Sequence, residues 1–422
     1  MTSAGSRRLL LLRALGGVVL TLAVDAAFVY YDFNGTTGLV LNGDAATSSC
    51  ARVARNEYSV LAGANDAREA SLDVAQHQLL ERVVFETSET ETHALSARIA
   101  AETATIAHRD AFAKSEDADR CAVRLRLTPS RPRQLAAVWY AEPLPVLAGF
   151  DTRFTFQITD QSQRCVDVKD QHFGVRHFRS CSVHGGDGFA FVLHAHANKT
   201  GALGFQGADA AAVRSELGFA GLENSLAIEF DTWFNAEHAD TFDDHVAVYS
   251  NGRAGNALLE SARLSATVLR ELADGKVHSV KIRYYNEIKY EYAPYFSSTT
   301  SLVKFIRDVS EGRRVGTLAV FMDEGIERDV PVLAIPINLA ATLRLQADEA
   351  FVGFTASTGS SWQKHDILGW YYCTQPPCLD EYGKEMTFEF DYNQQSMTST
   401  ASHGKSLYPI YIYPDTTPWG RA

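Results

Sequence analysis

Runs of β-branched and aromatic residues, each bounded by Gly, Asp or Asn, recur from residue 124 to residue 354 of the chain. Such runs favour β-strands because branched and ring side chains pack well on a pleated, half-buried surface. No amphipathic helical pattern separates them, so we expect an all-β fold, a sandwich or jelly roll, rather than an α/β fold. The runs are Arg124–Leu127, Phe154–Ile158, Phe189–Leu193, Val246–Tyr249, Val280–Tyr284, Thr317–Phe321 and Phe351–Phe354.

The stretch 51–120 has a different pattern, because its apolar residues recur at helical spacing. One series runs from Leu72 to Val83 and a second from Leu95 to Ile106, with a polar break between them. This pattern predicts a helical hairpin. A coiled-coil stalk that separates the N-terminus from the β-rich part of the chain is the alternative.

Strand-like sequence also precedes this helical stretch, at residues 28–34 and 38–45. The hairpin would therefore interrupt a single β domain made of residues 27–50 and 121–372, which favours an insertion over a stalk. Residues 373–422 form a polar, Tyr-rich tail to which we assign no role.

The first 26 residues have the pattern of a cleaved signal peptide rather than a membrane anchor. Arg7 and Arg8 precede an apolar stretch that ends near Val24, contains Arg13 and is short for a membrane span. We therefore expect a secreted protein, or one in the lumen of the secretory pathway, without a stable membrane span after cleavage. The formal net charge of -12 argues against nucleic acid as a partner.

The chain contains six cysteines, which in a secreted protein predict disulfides before metal ligands. The sequons at Asn34 and Asn198 agree with a glycosylating compartment. Neighbourhood in the sequence suggests three disulfide pairs, of which the last would join the ends of the helical insertion: Cys165 with Cys181, Cys373 with Cys378, and Cys50 with Cys121.

The segment Glu229–Asn235 places two carboxylates on one face of an otherwise apolar strand. Side chains alternate between the two faces of a strand, so Glu229, Asp231 and Trp233 emerge together. Two buried carboxylates repel each other unless one of them is protonated or a cation lies between them. The spacing therefore suggests a metal site, with a polar strand end that caps turns as the alternative.

Further ligands for a metal follow a few residues downstream. The oxygen donors of Asp231, Asn235, Asp240 and a backbone carbonyl suit calcium. A mixed set that adds Glu229 and His245 to the two aspartates suits a transition metal such as manganese. Two adjacent metal ions that share the aspartates are therefore one hypothesis for this segment.

Segments before and after this run agree in order and spacing with those of a known family. They are Gly38–Gly43, Leu127–Pro129, Val138–Tyr140, Phe150–Ile158, Gly185–Phe191, Ile228–Trp233, Asp274–His278, Val352–Gly359 and His365–Leu368. No single segment is decisive, but together they resemble the L-type, or legume-type, lectins. The resemblance implies a concanavalin A-like jelly roll of two large sheets, with a sugar site beside a calcium ion and a transition-metal ion.

The resemblance also implies which residues bind the two metals. The residues that match the manganese or other transition-metal ligands are Glu229, Asp231, Asp240 and His245. The residues that match the calcium ligands are Asp231, Trp233 through its carbonyl, Asn235 and Asp240.

Different loops match the sugar-binding residues of the family. Asp187 matches the carboxylate that accepts hydrogen bonds from two sugar hydroxyls, and Asn235 matches the residue that donates its side-chain amide. Gly201 matches the glycine whose backbone N–H reaches the sugar because no side chain intervenes. Trp233 matches the aromatic residue that stacks on the apolar face of the sugar ring.

Two further features follow from the resemblance. Ser360 and Ser361, which come after Gly359, match the loop that adjusts monosaccharide preference. In the family the peptide bond before the sugar-binding aspartate is cis although no proline is present, and the corresponding bond here is Gly186–Asp187.

An enzyme is a competing possibility, because jelly-roll glucanases carry a Glu-x-Asp-x-x-Glu strand motif. One glutamate of that motif is the nucleophile and the other is the general acid. Here Glu229 and Asp231 are followed by Trp233, Phe234 and Asn235 where the second glutamate is needed. Hydrolysis would lack its acid, so we expect no enzymatic activity.

The combined pattern predicts a calcium- and manganese-dependent carbohydrate-binding protein whose partners are glycans or glycoproteins. A structural or adhesive module that uses the same fold to bind protein is the alternative. Asp187, Gly201, Trp233 and Asn235 argue against that alternative, because a module that binds protein does not need these four residues together. The sequence leaves the monosaccharide and the oligomeric state open.

Overall fold

The computed structural model describes residues 26–33, 35–49, 123–169, 177–183, 185–204, 216–235, 240, 244–296, 299–307, 314–345, 347–380, 383–391 and 396–399. The predicted signal peptide, the predicted helical insertion, Asn34 and the cysteine pair Cys50 and Cys121 lie outside these residues.

The described residues form two large sheets, and the first of them has eight strands whose pairings are all antiparallel. In spatial order seven of them are β16 (Leu333–Ile337), β15 (Gly316–Met322), β14 (Val277–Tyr285), β7 (Phe150–Thr159), β18 (Lys364–Cys373), β4 (Val123–Thr128) and β3 (Ala46–Ser49). The eighth strand, β1 (Ala26–Tyr30), pairs with β18.

The second sheet also has eight strands and is antiparallel. Its order is β13 (Arg263–Val268), β12 (His245–Tyr249), β11 (Ser225–Asp231), β10 (Gly188–His194), β17 (Glu349–Ser357), β5 (Leu135–Tyr140) and β2 (Leu39–Gly43), and β6 (Leu144–Pro145) pairs with β17. Both sheets combine strands that are distant in sequence. The prediction of an all-β sandwich is confirmed.

Helices are few and short in the described part of the chain. They are α1 (Thr300–Arg307), α2 (Glu324–Glu327) and α3 (Leu339–Leu343), with 3-10 turns at Lys199–Gly201 and Tyr290–Tyr295. Within the described residues, no helix has the length and apolar character needed to cross a membrane.

The main core lies between the two sheets and is rich in aromatic rings. Phe154 of the first sheet contacts Phe230 and Phe354 of the second, at ring-centroid distances of 5.9 and 5.0 Å. Strand β11 faces this core through every second residue, Leu226, Ile228 and Phe230, as expected from the alternation of side chains along a strand. Its other face is therefore turned away from the first sheet.

A second apolar cluster covers that outer face of the second sheet. It combines strand residues such as Ala227 and Tyr249 with loop residues such as Leu217, Phe219 and Leu222. All seven residues of β11 are therefore buried, although only three of them, Leu226, Ile228 and Phe230, face the main core. Polar side chains on this outer face lie under a layer of loops rather than in bulk water.

A disulfide and part of the tail extend the packing of the first sheet. Cys373 and Cys378 form the predicted disulfide, and Cys378 packs with Met386 and Tyr371 in a small buried cluster. Part of the tail forms a hairpin of β19 (Phe388–Asp391) and β20 (Ser396–Ser399).

The other described cysteines lie in a separate hairpin of β8 (Gln163–Lys169) and β9 (His177–Val183). Cys165 and Cys181 are directly opposite each other in its register. Their predicted disulfide remains a prediction.

Candidate metal and carbohydrate site

Strands β11 and β12 bring three of the predicted metal ligands together on the covered outer face. Asp231 is the direct cross-strand partner of His245, and Glu229 lies two residues before Asp231 on the same face. All three side chains are buried, with 0 to 1% exposure. The Nε2 atom of His245 is 3.2 Å from the Oε1 atom of Glu229, and one ligand atom from each residue lies within 4.8 Å of the others.

The loop after β11 adds the remaining predicted ligands. The backbone N–H of Trp233 donates to Asp231 Oδ1 at 2.6 Å, and the N–H of Asn235 donates to Asp240 Oδ2 at 2.8 Å. The other oxygen of Asp240, Oδ1, is 3.9 Å from His245 Nε2. Asp240 therefore lies beside the cluster formed by the strands.

The electrostatics of this cluster match the repulsion expected from the sequence. Burial raises the pKa of Asp231 well above its ordinary value, and the nearby charges of Glu229, Asp240 and Asp187 raise it further, against the hydrogen bond from the Trp233 N–H. A divalent cation among these carboxylates would reverse the effect. The donor set of carboxylates, an amide and an imidazole therefore fits divalent metal ions.

Asp187 lies immediately before β10 and beside the end of β11. The Gly186–Asp187 peptide bond is cis, as the family resemblance predicts. Asp187 is 4% exposed, and its Oδ2 atom accepts a hydrogen bond from Ser357 Oγ at 3.0 Å. Burial raises the pKa of Asp187 to about 7, although the hydrogen bonds from Ser357 and the Gly359 backbone act in the opposite direction.

Trp233 and the loop after β17 surround Asp187. The ring of Trp233 lies against Gly186, because a methyl group on that glycine would be 3.2 Å from Trp233 Cε3. A methyl group on Gly359 would be 2.9 Å from Asp187 Oδ1, which places the chain just before Ser360 and Ser361 against the carboxylate. Ser360 is exposed and Ser361 is partly exposed, so both can meet a ligand.

Gly201 lies on a turn that is anchored to a different part of the sheet. The Thr200 carbonyl accepts a hydrogen bond from Asn42 Nδ2 at 2.9 Å, and the Ala202 carbonyl accepts one from Trp139 Nε1 at 2.7 Å. These donors are on β2 and β5, which are separated from β10 by β17. Gly201 is exposed, and a methyl group there would meet no heavy atom within 4 Å, so its backbone is open to a ligand.

The sequence model of the legume lectin domain family matches residues 104–385, which is more than half of the chain. The chain belongs to the legume lectin domain family. This is a family of carbohydrate-binding proteins, and its fold agrees with the two sheets described above.

Curated relatives of the lectin include plant receptor kinases. The probable L-type lectin-domain containing receptor kinase VII.2 of Arabidopsis thaliana is 28% identical over 194 residues, 44% of this chain and 24% of the relative. The L-type lectin-domain containing receptor kinase SIT1 of Oryza sativa subsp. japonica is 29% identical over 156 residues, 36% of this chain and 19% of the relative. The lectin therefore spans about a quarter or less of these two relatives.

Solved structures similar to the lectin include a lectin from Bauhinia forficata in complex with GalNAc. It has 14% sequence identity and a TM-score of 0.38, and the match covers 82% of this chain and 96% of that chain. The metal-free form of the VIP36 exoplasmic/lumenal domain has 17% identity and a TM-score of 0.35, with coverage of 62% and 82%.

The lectin also contains a buried hydrogen-bond chain that the sequence did not reveal. Thr232, which follows Asp231, donates to the Asp187 carbonyl from its Oγ1 at 3.0 Å, and its backbone N–H donates to the same oxygen at 2.9 Å. Gln363 Nε2 donates to Thr232 Oγ1 at 2.6 Å and contacts His365 Nε2 at 3.0 Å. These groups tie the Asp187 loop to β11 on one side and to the first sheet on the other.

His365 is the last residue of this series of hydrogen bonds, on the side away from Asp187. Its Nδ1 atom is 2.5 Å from Thr128 Oγ1 on β4, so Nδ1–H donates there while Nε2 accepts from Gln363. Only a neutral imidazole has one donor and one acceptor nitrogen. Burial lowers the pKa of His365 to about 3, although the charge of Asp366 acts in the opposite direction. Gly185, which precedes the cis Gly186–Asp187 bond, leaves the space that Gln363 needs. A methyl group on Gly185 would collide with Gln363 Oε1.

We expect His365→Gln to make the unfolding free energy of the lectin less sensitive to acid. In the folded state His365 stays neutral down to about pH 3, whereas in the unfolded state it takes up a proton below about pH 6.5. The unfolded state therefore binds more protons, and His365 destabilises the fold by up to about 1.4 kcal/mol for each pH unit below that value. Urea denaturation at pH 7, 6 and 5 measures this slope for both proteins.

His278 provides the matched control, because its pKa is shifted in the other direction. Burial lowers the pKa of His278, but hydrogen bonds and charges from Asp323 and Asp274 more than offset this effect and leave it raised. His278 therefore stabilises the folded state fully below its unfolded pKa, and this contribution is lost as the pH rises through the folded pKa. His278→Gln should steepen the loss of stability in acid where His365→Gln reduces it. The same slope in both variants would contradict the assignment.

Proposed function

We propose that this protein is a calcium- and manganese-dependent lectin of the secretory pathway that binds glycan hydroxyls at Asp187. The observation that carries the proposal is the direct link between two parts of one site. Asp187 is bonded through its carbonyl to Thr232, and Thr232 directly follows Asp231 in the buried carboxylate and histidine cluster. A cation bound to the cluster would therefore act on the position and charge of Asp187.

The proposed sugar site combines one charged acceptor with several neutral groups. Asp187 accepts hydrogen bonds from two sugar hydroxyls, and Asn235 donates its side-chain amide to a third oxygen. Trp233, which is partly exposed, stacks its ring on the apolar face of the sugar. Gly201 contributes its backbone N–H, and the exposed loop at Ser360 and Ser361 selects among monosaccharides.

The metals would be held by two overlapping sets of ligands. For manganese or another transition metal we propose Glu229, Asp231, Asp240 and His245. For calcium we propose Asp231, the carbonyl of Trp233, Asn235 and Asp240. When bound, the metals supply positive charge that keeps the buried carboxylates ionised.

That charge matters most for Asp187, whose pKa burial raises to about 7. The ionised form of this carboxyl group is the strong acceptor that two sugar hydroxyls require. Asn235 benefits in a different way, because a side-chain oxygen that faces calcium leaves the NH₂ group of the amide to face the sugar.

Secretory localisation has independent support from the covalent structure. The Cys373–Cys378 disulfide belongs to an oxidising compartment. The opposed positions of Cys165 and Cys181 in the β8–β9 hairpin would suit a second one. Glycans or glycoproteins of that compartment are the proposed partners.

A glycan array probed with the purified protein in calcium and manganese tests the function directly. We expect retention on a restricted set of glycans that a competing free monosaccharide displaces. No retained glycan, together with a protein that is folded and loaded with metal, would favour the adhesive module that binds protein. Release of reducing sugar from a β-glucan would revive the hydrolase, although an exposed Phe234 stands where that motif needs its acid.

A further inference from the structure

A cavity lies at the end of β12 opposite the candidate metal ligands. His245 begins this strand and Tyr249 ends it, and the following loop, 250–254, lines a cavity of about 270 Å³ together with α1 and α3. Five strand residues at about 3.4 Å each separate the cavity from His245 by more than about 10 Å. The cavity is therefore distinct from the proposed sugar and metal site.

Three cationic side chains converge on this cavity from three different segments. Arg253 comes from the loop, Lys304 from α1, and Arg344 from the residue that ends α3. Among the described residues, the lining contains no carboxylate, and none of these three side chains forms an ion pair or a hydrogen bond. This is unusual in a protein with a formal net charge of -12. The cavity is a positively charged spot on an acidic molecule, and the three like charges repel each other until an anion joins them.

The frame of the cavity is held in place by buried hydrogen bonds. Ser250 Oγ donates to the Ser225 carbonyl at 2.8 Å, and the Asn224 N–H donates to the Gly252 carbonyl at 2.7 Å. A methyl group on Gly252 would be 3.5 Å from the ring of Phe305, so the loop packs directly on α1. The cavity is therefore already formed before any ligand enters.

The backbone conformation of Arg344 supports a role for this arginine in the cavity. Its φ of 53° is in the left-handed region, where a helix usually ends in glycine because a side chain is disfavoured there. An arginine at this position carries a conformational cost that a glycine would avoid. Its guanidinium also has a rigid, planar set of donors that matches an oxyanion in two-point contact.

We propose that this cavity binds a small oxyanion with two negative charges, of the phosphate or sulfate class. A dianion matches three cations better than a single carboxylate does. The volume of about 270 Å³ is many times the space that one ordered water needs, so a phosphate group and part of an attached sugar can enter. The aromatic face of Phe305 provides apolar contact for that attached part. The ligand could be a free ion or an ester group, and both present the same three charged oxygens.

Calorimetric titration of the full chain at pH 7.5 and low salt tests the proposal with three probes: inorganic phosphate, glucose 6-phosphate and glucose. The experiment uses the Asp187→Asn background, so that the proposed sugar site does not contribute. We expect both phosphate compounds to bind and glucose not to bind. Tighter binding of glucose 6-phosphate identifies an ester as the ligand, and equal binding identifies the free ion. Absence of heat from both phosphate compounds at about 10 mM would overturn the proposal.

Substitutions of the lining residues distinguish phosphate binding at this cavity from nonspecific attraction of phosphate to positive charge on the surface. Arg253→Gln and Lys304→Gln should each weaken phosphate binding by about tenfold, because each removes one charge-assisted hydrogen bond. Arg344→Gly should do the same while suiting the left-handed backbone. Arg270→Gln is the matched control, since Arg270 is an exposed cation outside the cavity, and it should leave binding unchanged. If Arg270→Gln lost as much phosphate affinity as the lining variants, the proposed site would be wrong.

Discussion

Asp187→Asn is expected to lower the affinity for glycans by about 100-fold or more while the fold stays intact. The substitution keeps the shape of the side chain but removes the charge from the acceptor of two sugar hydroxyls. Each charge-assisted hydrogen bond contributes about 1.5–3 kcal/mol, so the loss of two gives at least this factor. Titration of the best ligand from a glycan array into both proteins measures the change.

The same substitution should leave stability nearly unchanged or slightly raised. Burial raises the pKa of Asp187 to about 7, because a charged carboxylate is disfavoured at a buried position. A neutral amide avoids that penalty and still has an oxygen for the Ser357 hydroxyl. The matched control is Asp348→Asn on an exposed position, which should bind as the wild type does. If Asp187→Asn bound glycans with the affinity of the wild type, Asp187 would not be a sugar ligand and the proposed mode of sugar recognition would be wrong.

Removal of the metals is expected to abolish glycan binding and to lower the melting temperature by on the order of 10 °C. In the absence of a cation the carboxylates of Glu229, Asp231 and Asp240 repel one another, and burial together with these nearby charges raises the pKa of Asp231. A metal at about a thousand times its Kd stabilises the folded state by about 4 kcal/mol. Thermal unfolding and titration with a glycan, in EDTA and after dialysis into calcium and manganese, measure both effects.

Glu229→Gln makes this experiment specific to the cluster. The variant has one buried negative charge fewer, so in EDTA it should melt at a higher temperature than the wild type. It should also gain much less from added manganese, because the amide is a poorer ligand than the carboxylate. Retained sugar binding in excess EDTA would contradict the role of the metals. An unchanged metal response in Glu229→Gln would place the ions elsewhere.

The strands of the sandwich were predictable because their signal is local. The run Phe189–Leu193 lies within β10, and Val246–Tyr249 lies within β12. Alternation along β11 also predicted that Glu229 and Asp231 share a face. Both have a ligand atom within 4.8 Å of one on His245 of the neighbouring strand, so they do. Residues only two apart in one strand need no tertiary information to be placed together.

The chain of groups that holds Asp187 could not be read from the sequence. Gln363 and Thr232 are 131 residues apart, and Thr128 and His365 are 237 residues apart. Neither pair has a motif, because an amide or a hydroxyl in a strand has the same local pattern whether it faces water or another sheet. Their roles depend on burial and on the packing of the two sheets at one end of the sandwich.

By itself the sequence predicted the all-β architecture and a candidate metal-binding run, and its resemblance to lectins named Asp187 and the cis bond before it. Only the tertiary structure decided that the carboxylates lie on an outer face covered by loops. It also decided that Thr232 and Gln363 connect Asp187 to both sheets, and that three cations line the cavity beside α1 and α3. The physical reason is the range of the interactions. Strand periodicity is set by neighbouring residues, whereas burial, charge repulsion and hydrogen bonding between strands depend on which distant segments are packed together.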